Sequence, residues 1–288
     1  MNILHISDLH FGPRHWKGND ELLLEKLNSY ATDLVINTGD NTTDSLESEF
    51  KAVGSFLNSL NCEHVISIPG NHDKRNMRAQ DFFRQYIDNV EVIRPIEPTR
   101  CTKTKILIDQ YTTGIEEHFT DINFIKKITI DGKCLLVVCI DSNETYQDIG
   151  IIDREMLHTV SQKIAELEYD NIILLNHYSI IDSDGDPMFH SDRIIDFVKR
   201  NKIEHVFCGH GHNLTLTKTT DLMRNYSFNQ YKNGTLASHN SHKDSNMFLY
   251  HENFAEENMK THVVRIHIDG DKLEFEETVI NITRGTIF

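Results

Sequence analysis

Five short polar segments carry the residues of this chain that can do chemistry, and each follows an apolar run. They are Asp8-Leu9-His10, Gly39-Asp40, Gly70-Asn71-His72-Asp73, Asn176-His177 and Gly209-His210-Gly211-His212. Carboxylates, imidazoles and an amide make a mixed nitrogen and oxygen donor set that suits Mn, Fe, Zn or Co. One Asp-x-His alone is more often a turn, since Asp, Asn and Gly favour turns for their own reasons. Five such segments in succession are harder to dismiss. So many donors exceed the shell of one ion and suit two, with a carboxylate between them, as in two-metal hydrolases. Two ions so placed lower the pKa of a bridging water and hold phosphoryl oxygens, so phosphoryl transfer is the chemistry expected. Gly12, Gly39, Gly70, Gly209 and Gly211 let the backbone come close to an ion or a phosphate.

Strand ends must position these segments. Asn2–Ile6 is apolar and β-branched enough for a buried strand, and residues two apart in extended chain point the same way, which aims Asp8 and His10 together. Asp33–Asn37, His64–Ile68, Asn171–Leu175 and Glu204–Cys208 read as further strands, each stopping at one of the other four segments. Cys134–Ile140 is an unbroken apolar run, hence a fully buried strand. Helical spacing falls between them. Asn19–Tyr30 carries Leu22, Leu23, Leu24 and Leu27, and residues 45–60 carry Leu46, Phe50, Val53, Leu57 and Leu60, with Asp44 or Ser45 as the expected cap. Residues 76–90, Asp153–Glu168 and His190–Arg200 also read as helices, the last capped by Ser191. In such alternating α/β chains, ligands bind in the crevice beyond the carboxyl ends of the strands. Residues 91–133 suggest short strands. The remainder, 213–288, alternates as in Thr261–Ile268 and Lys272–Ile280, which predicts antiparallel strands completing a second sheet. The simplest organisation is one domain over 1–288, with the donors confined to 1–212.

Composition narrows the function classes. The chain has 288 residues, 39% hydrophobic and 25% charged, which is ample for a sizeable core. Its formal charge of −15 comes from 29 Lys and Arg against 44 Asp and Glu, so its field disfavours long nucleic acid as a partner. A small phosphoester is the expected partner instead. Five cysteines, Cys62, Cys101, Cys134, Cys139 and Cys208, are odd in number and unpaired in spacing, which reads as reduced thiols in a cytoplasmic protein. No apolar run reaches the ~18 residues of a membrane span, and no basic, cleavable leader precedes the first strand. Asn281-Ile282-Thr283 matches a glycosylation sequon, without a secretion signal to give it meaning.

The quoted segments resemble the signatures of the calcineurin-like metallophosphoesterases over about residues 2–212. That resemblance implies an α/β fold with four layers, an α-β-β-α sandwich of two mixed sheets flanked by helices. It also implies that Asp8, His10, Asp40 and His212 hold one ion, and Asp40, Asn71, His177 and His210 the other, so that Asp40 bridges. His72 would not ligate; in the family its counterpart meets the phosphate, stabilising the transition state or protonating the leaving oxygen, and Asp73 would orient its ring. Arg75 falls where many members carry an arginine for the substrate phosphate; Arg75 and Arg78 are candidates there, with ordinary surface arginines as the alternative, and Asn71 is expected to meet substrate as well as metal. The spacings look closest to the class III cyclic-nucleotide phosphodiesterase branch, where Asn-His-His is frequent. This chain has Asn176-His177-Tyr178, and Tyr178 is expected on the substrate side. The implied activity is hydrolysis of a phosphodiester of a nucleotide by metal-bound hydroxide. A single-strand nuclease, a phosphomonoesterase and an inactive scaffold of the same fold are the alternatives. Residues 183–187 read as a solvated loop, with a lid over the site as the alternative, and His239 and His242 suit the rim or the surface rather than a third metal. His5, His64, His205 and His267, in strand-like runs, are expected to be structural.

Overall fold

Short apolar runs that stop at a polar residue become short strands, and the sheets they form bury both faces. The computed structural model describes residues 1–96, 102–108, 111–181, 188–239 and 245–281. In the first sheet β1 (Ile3–Ile6), β2 (Leu34–Asn37) and β3 (Val65–Ser67) run parallel. On the other side of β1 lie β12 (Met247–Glu252), β13 (Lys260–Asp269) and β14 (Lys272–Asn281), all antiparallel to their neighbours. The second sheet contains β6 (Phe124–Ile130), β7 (Lys133–Ile140), β8 (Asn171–Asn176), β9 (His205–Cys208), β10 (Thr215–Asp221) and β11 (Tyr226–Lys232), in the spatial order β10-β11-β9-β8-β7-β6. A separate ribbon pairs β4 (Thr102–Ile108) with β5 (Tyr111–His118).

The tail expected to complete the second sheet divides between both. Residues 215–232 join the second sheet, while β12 to β14 extend the first. Alternation within a strand reports which face is buried, not which sheet receives the strand.

Between the sheets, Ile3, Leu34 and Ile36 meet Val137, Leu175 and Phe207 in one core. The outer faces are covered by helices, giving the four-layer α-β-β-α sandwich. On the first sheet, α1 (Asp20–Asn28) and α2 (Glu47–Asn58) set Leu23, Leu27, Val53 and Leu57 against Leu4, Ile6 and Val35. On the second, Met156, Val160, Ile194 and Phe197 of the helices over Arg154–Ala165 and Ser191–Arg200 cover Leu136, Val138 and Leu174. Each such side chain contributes about 1.5–3 kcal/mol by burial. Leu22, on the expected stripe, is instead 42% exposed.

Two caps differ from expectation. Leu46 stands at the α2 N-cap, and the Glu49 carboxylate accepts the N–H groups of Asp44 and Leu46 at 2.9 and 3.1 Å. The Ser45 hydroxyl is drawn away to the carbonyl of Asp73. His190, in a left-handed conformation, precedes the helix that Ser191 begins. The helix expected over 76–90 is only Ala79–Phe82, followed by a π-turn over Phe83–Ile87.

Candidate metal centre

All five polar segments leave strands at the same edge of the sandwich, where the two sheets' parallel strands end. Five of the donor residues sit in the left-handed region: Asp8 (φ 53°), His10 (47°), Asp40 (51°), His210 (65°) and His212 (50°). For a side chain with a Cβ this costs on the order of 1–3 kcal/mol apiece, and it persists only when surroundings over-determine it. Here they do. The Asp8 and His10 amides donate to the carbonyls of Gly39 and Asp40, both at 2.9 Å, and the Gly209 amide donates to the carbonyl of His177 at 2.9 Å. The Thr235 hydroxyl caps the carbonyl of Asp8 at 2.7 Å. Close approach also demands glycine at two positions: a Cβ on Gly70 would lie 2.2 Å from Asp40 Oδ1, and one on Gly209 would lie 2.4 Å from Asp8 Oδ2.

The donors gather in two groups that share Asp40. Ligand atoms of Asp8, His10, Asp40 and His212 lie within 4.8 Å of one another, as do those of Asp40, His177 and His210. In the first group, His10 Nε2 faces His212 Nε2 at 3.0 Å and Asp40 Oδ2 at 3.7 Å, and His212 Nε2 is 3.2 Å from Asp8 Oδ1. In the second, Asn71 Oδ1 is 3.0 Å from both His177 Nε2 and His210 Nδ1. Asp8, His10 and His177 are wholly buried.

These groups fit a cation. His177 Nδ1 lies 2.7 Å from the carbonyl of Thr38, which can only accept, so that nitrogen carries the proton. In the neutral form of the ring, the form that can ligate, Nε2 is the bare nitrogen and faces Asn71 Oδ1 and, at 3.4 Å, Asp40 Oδ1. The amide orientation is fixed as well, because Asn71 Nδ2 donates to Asp148 Oδ1 at 2.7 Å. Three electron-rich atoms so close repel one another unless positive charge lies among them. Titration expresses the same demand. Burial pushes the His177 ring down, but the Asp40 and Asp8 carboxylates outweigh it and carry the ring up to about 9. Burial likewise opposes the charge on Asp40, yet the imidazoles of His177, His72 and His10 hold it well below the usual carboxylate range. His10 is pushed down to about 4, chiefly by burial.

Around the donors, several expected roles change. Asp73 does not touch the His72 ring. Its two oxygens accept from the amides of Gly70, Asn41 and Thr42 and from the Asn41 and Thr42 side chains at 2.8–3.0 Å, so it ties the Asn71 loop to the Asp40 loop. Burial, with the nearby charge of Asp40, raises its carboxyl. The His72 ring is oriented instead by the carbonyl of Thr43, 2.6 Å from Nδ1. Tyr178, expected to meet substrate, is fully buried; its ring packs 4.1 Å from His210, centroid to centroid, and so supports that imidazole from beneath. Arg78 turns away and lies over Phe82, whereas Arg75 reaches His72 Nε2 at 3.2 Å and Asp148 at 3.2 Å. His239 is exposed and sits against the carbonyls of Arg14 and His15. His5 and His205 are buried, as expected of structural residues. The stretch 183–187, His242 and Cys101 fall outside the described side chains. Among the described cysteines none is disulfide-bonded.

Sequence reasoning missed three features. Arg14 Nη1 lies 3.0 Å from His72 Nε2. Asp148 links Asn71 to Arg75. A chain of hydrogen bonds runs from His5 Nε2 to Thr38 Oγ1 (3.0 Å), on to Ser7 Oγ (2.7 Å) and then to Asp8 Oδ2 (2.5 Å), which leaves Asp8 Oδ1 for the donor group. The only sequence signal for that chain is the small hydroxyl residue beside each aspartate loop.

Comparison with known proteins agrees with this geometry. No curated protein sequence matches the chain. Among solved structures, purple acid phosphatase PPD1 from yellow lupin superposes with a TM-score of 0.59 at 12% identity, over 99% of this chain and 54% of that one. GAP50, the anchor in the inner membrane complex of Plasmodium, gives 0.56 at 12% identity, over 99% and 90%. At such identities the likeness concerns the fold. Among the described residues no helix is long and apolar enough to cross a membrane. The family model for calcineurin-like phosphoesterases matches residues 1–214, nearly three quarters of the sequence and every donor loop, and the chain belongs to that family.

Proposed function

We propose that this protein is a dinuclear metal-dependent phosphoesterase that hydrolyses phosphodiester bonds of small nucleotides. The observation that carries the reading is the sharing of Asp40 between two donor groups. Asp8, His10, Asp40 and His212 would hold one ion, and Asp40, Asn71, His177 and His210 the other, with Mn, Fe, Zn or Co as candidates. When bound, such a pair supplies Lewis-acid polarisation of a phosphoryl group and a water of lowered pKa.

The chain's own residues do the rest. Asp73 holds the Asp40 and Asn71 loops in register. Thr43 keeps the His72 Nδ1 proton, so Nε2 is the atom that faces substrate; to protonate a leaving oxygen it must first gain a second proton there. The His72 amide donates to Asp40 Oδ1 at 2.8 Å, which fixes the shared carboxylate against this loop. Arg75 adds a guanidinium to the same place, suited to a phosphoryl oxygen.

Diesters of nucleotides are favoured over monoesters on the resemblance of the motif spacings to the cyclic-nucleotide branch. The net charge of −15 weighs against long nucleic acid. The reduced cysteines fit a cytoplasmic location. A second reading is an inactive scaffold, favoured by the Plasmodium structure, which is an anchor. The complete donor set favours the enzyme. The test is a panel with added Mn²⁺: model mono- and diesters, cyclic mononucleotides, linear and cyclic dinucleotides, and single-stranded DNA. Turnover of small diesters above all others supports the proposal, and no turnover of any member sinks it.

A further inference from the structure

One strand that ends at the donor edge supplies no donor. β7 runs parallel to β8, with Ile140 opposite Asn176, so residues 141–150 leave the sandwich where the other five loops do. This loop is stitched to the Asn71 segment along its length. Lys74, only 1% exposed, donates through Nζ to Asp141 Oδ2 at 2.8 Å and to the Thr120 carbonyl at 2.7 Å, the pairing a buried ammonium requires. Asn143 Nδ2 donates to the Pro69 carbonyl at 2.9 Å and to Asp141 Oδ1 at 2.8 Å. The Tyr146 amide donates to the carbonyl of Lys74 at 3.1 Å. The end of the loop then delivers Asp148, whose Oδ1 accepts from Asn71 Nδ2 at 2.7 Å.

That last contact decides what Asn71 presents to the donor group. A carboxamide has an acceptor end and a donor end of nearly the same shape, and only the oxygen can ligate. Asn71 Oδ1 lies 3.0 Å from both His177 Nε2 and His210 Nδ1. A half-turn of the amide would put Nδ2 there instead, where it would donate to a neutral imidazole and take the ligand oxygen out of the group. The imidazoles alone thus favour the wrong end of the amide. Asp148 opposes them: a carboxylate only accepts, and a flipped Asn71 would set one oxygen against another. The side chain of Asp148 is 63% exposed, so its part here is not packing.

We infer that Asp148 is a positioning residue for the second donor group: by accepting from Asn71 Nδ2 it fixes which end of that amide faces His177 and His210, and so sets the group's affinity for its cation. This rests on the reading of two donor groups that share Asp40.

The test is calorimetric titration of the chelator-treated full chain with Mn²⁺, read as the affinity of each equivalent bound. Wild type is expected to take two. Asp148→Ala should weaken one of them about 10–100-fold, the scale of losing a partner behind a ligand, and leave the other within about twofold. Asp148→Asn, whose own amide can accept from Asn71 or donate to it, should weaken the same equivalent less. The decisive arm uses Asn71→Asp. Its two carboxylate oxygens are equivalent, so no flip exists to control, and in that background Asp148→Ala should not weaken the group at all. Unchanged affinities in Asp148→Ala overturn the inference, and so does an equal fall in both, as a loosened loop would give. A loss that persists in the Asn71→Asp background, as one acting through Arg75 would, also overturns it. Wild type that takes a single equivalent contradicts the dinuclear reading instead, and the inference then stands or falls by whether Asp148→Ala weakens that equivalent.

Discussion

Asp8, Asp40 and His177 stand at the ends of paired strands, wholly or almost wholly buried, with backbone bonds fixing each loop to the next. Arg14, Arg75 and Asp148 stand only a few ångströms away, yet on loops that meet from three separate parts of the chain. The side chains of Arg75 and Asp148 are 30% and 63% exposed. The first region is preorganised and accepts backbone strain to be so. The rim is solvated, and its ion pairs contribute little to stability. The difference teaches where the chain has invested its folding energy: in the geometry of the donors, leaving recognition to side chains that can vary without unfolding the sheet ends.

The largest expected effect strikes the inner region at the residue both donor groups share. Asp40→Asn should lower phosphodiester turnover at least ~10²-fold, on the scale of losing one fixed electrostatic contact to the transition state. Steady-state kinetics of the purified variant reads this. An Asp40→Asn protein as active as wild type would show that the two groups do not work as one centre.

A smaller effect comes from one layer further in. Thr38→Val interrupts the chain from His5 to Asp8 while preserving shape, and metal affinity should fall ~10–100-fold, the usual cost of losing a partner behind a ligand. Metal titration of the variant measures it. Unchanged affinity would mean that Asp8 is held by its backbone alone.

Acid should weaken the same region through its core. Burial holds His5 down to about 3 and His251 well below its ordinary value, so both rings are neutral when folded. The unfolded chain protonates them below about pH 6.5 and then binds more protons than the folded one. Stability therefore falls as pH drops from about 6.5 toward 3, by up to ~1.4 kcal/mol per pH unit for each ring, and neither ring contributes a slope above that window. Urea midpoints across pH 7 to 4 test this, and His251→Phe should flatten the slope. A slope identical in wild type and variant would contradict it.

The smallest effect concerns Tyr178. Because its ring supports His210 from within the core, Tyr178→Phe should leave KM within about twofold of wild type, since the shape is conserved. A large rise in KM would return Tyr178 to the substrate side and redraw the boundary between the two regions.

Much of the inner region is legible in the chain because each donor follows a strand, and a strand announces itself by its apolar run. Gly39-Asp40 and the Gly209–His212 loop can be placed at sheet ends without knowing how the sheets pack. Two sheets flanked by helices are the simplest organisation of the same runs, while the four-layer sandwich is what the family resemblance implies. What sequence does not carry is contact between loops distant along the chain. Asp73 was expected at the His72 ring because carboxylates often orient histidines, yet five donors on the Asp40 and Asn71 loops outcompete the ring for its oxygens. Tyr178 follows a donor and so reads as part of the site, but it belongs to the core beneath it. Arg14 has no periodicity to mark it, and only the folded loop brings it to His72. The fate of 247–281 is hidden for a similar reason: nothing in the alternation of β12 to β14 says that β1 has a free edge to offer them.

The most direct test of the shared centre is a Mn²⁺ titration of chelator-treated protein, followed by hydrolysis of bis-p-nitrophenyl phosphate. We expect no turnover without metal, and activity that rises to saturation as two equivalents bind, with Asp40→Asn inactive throughout. Turnover in the metal-free protein, or none at saturating metal, would contradict the account.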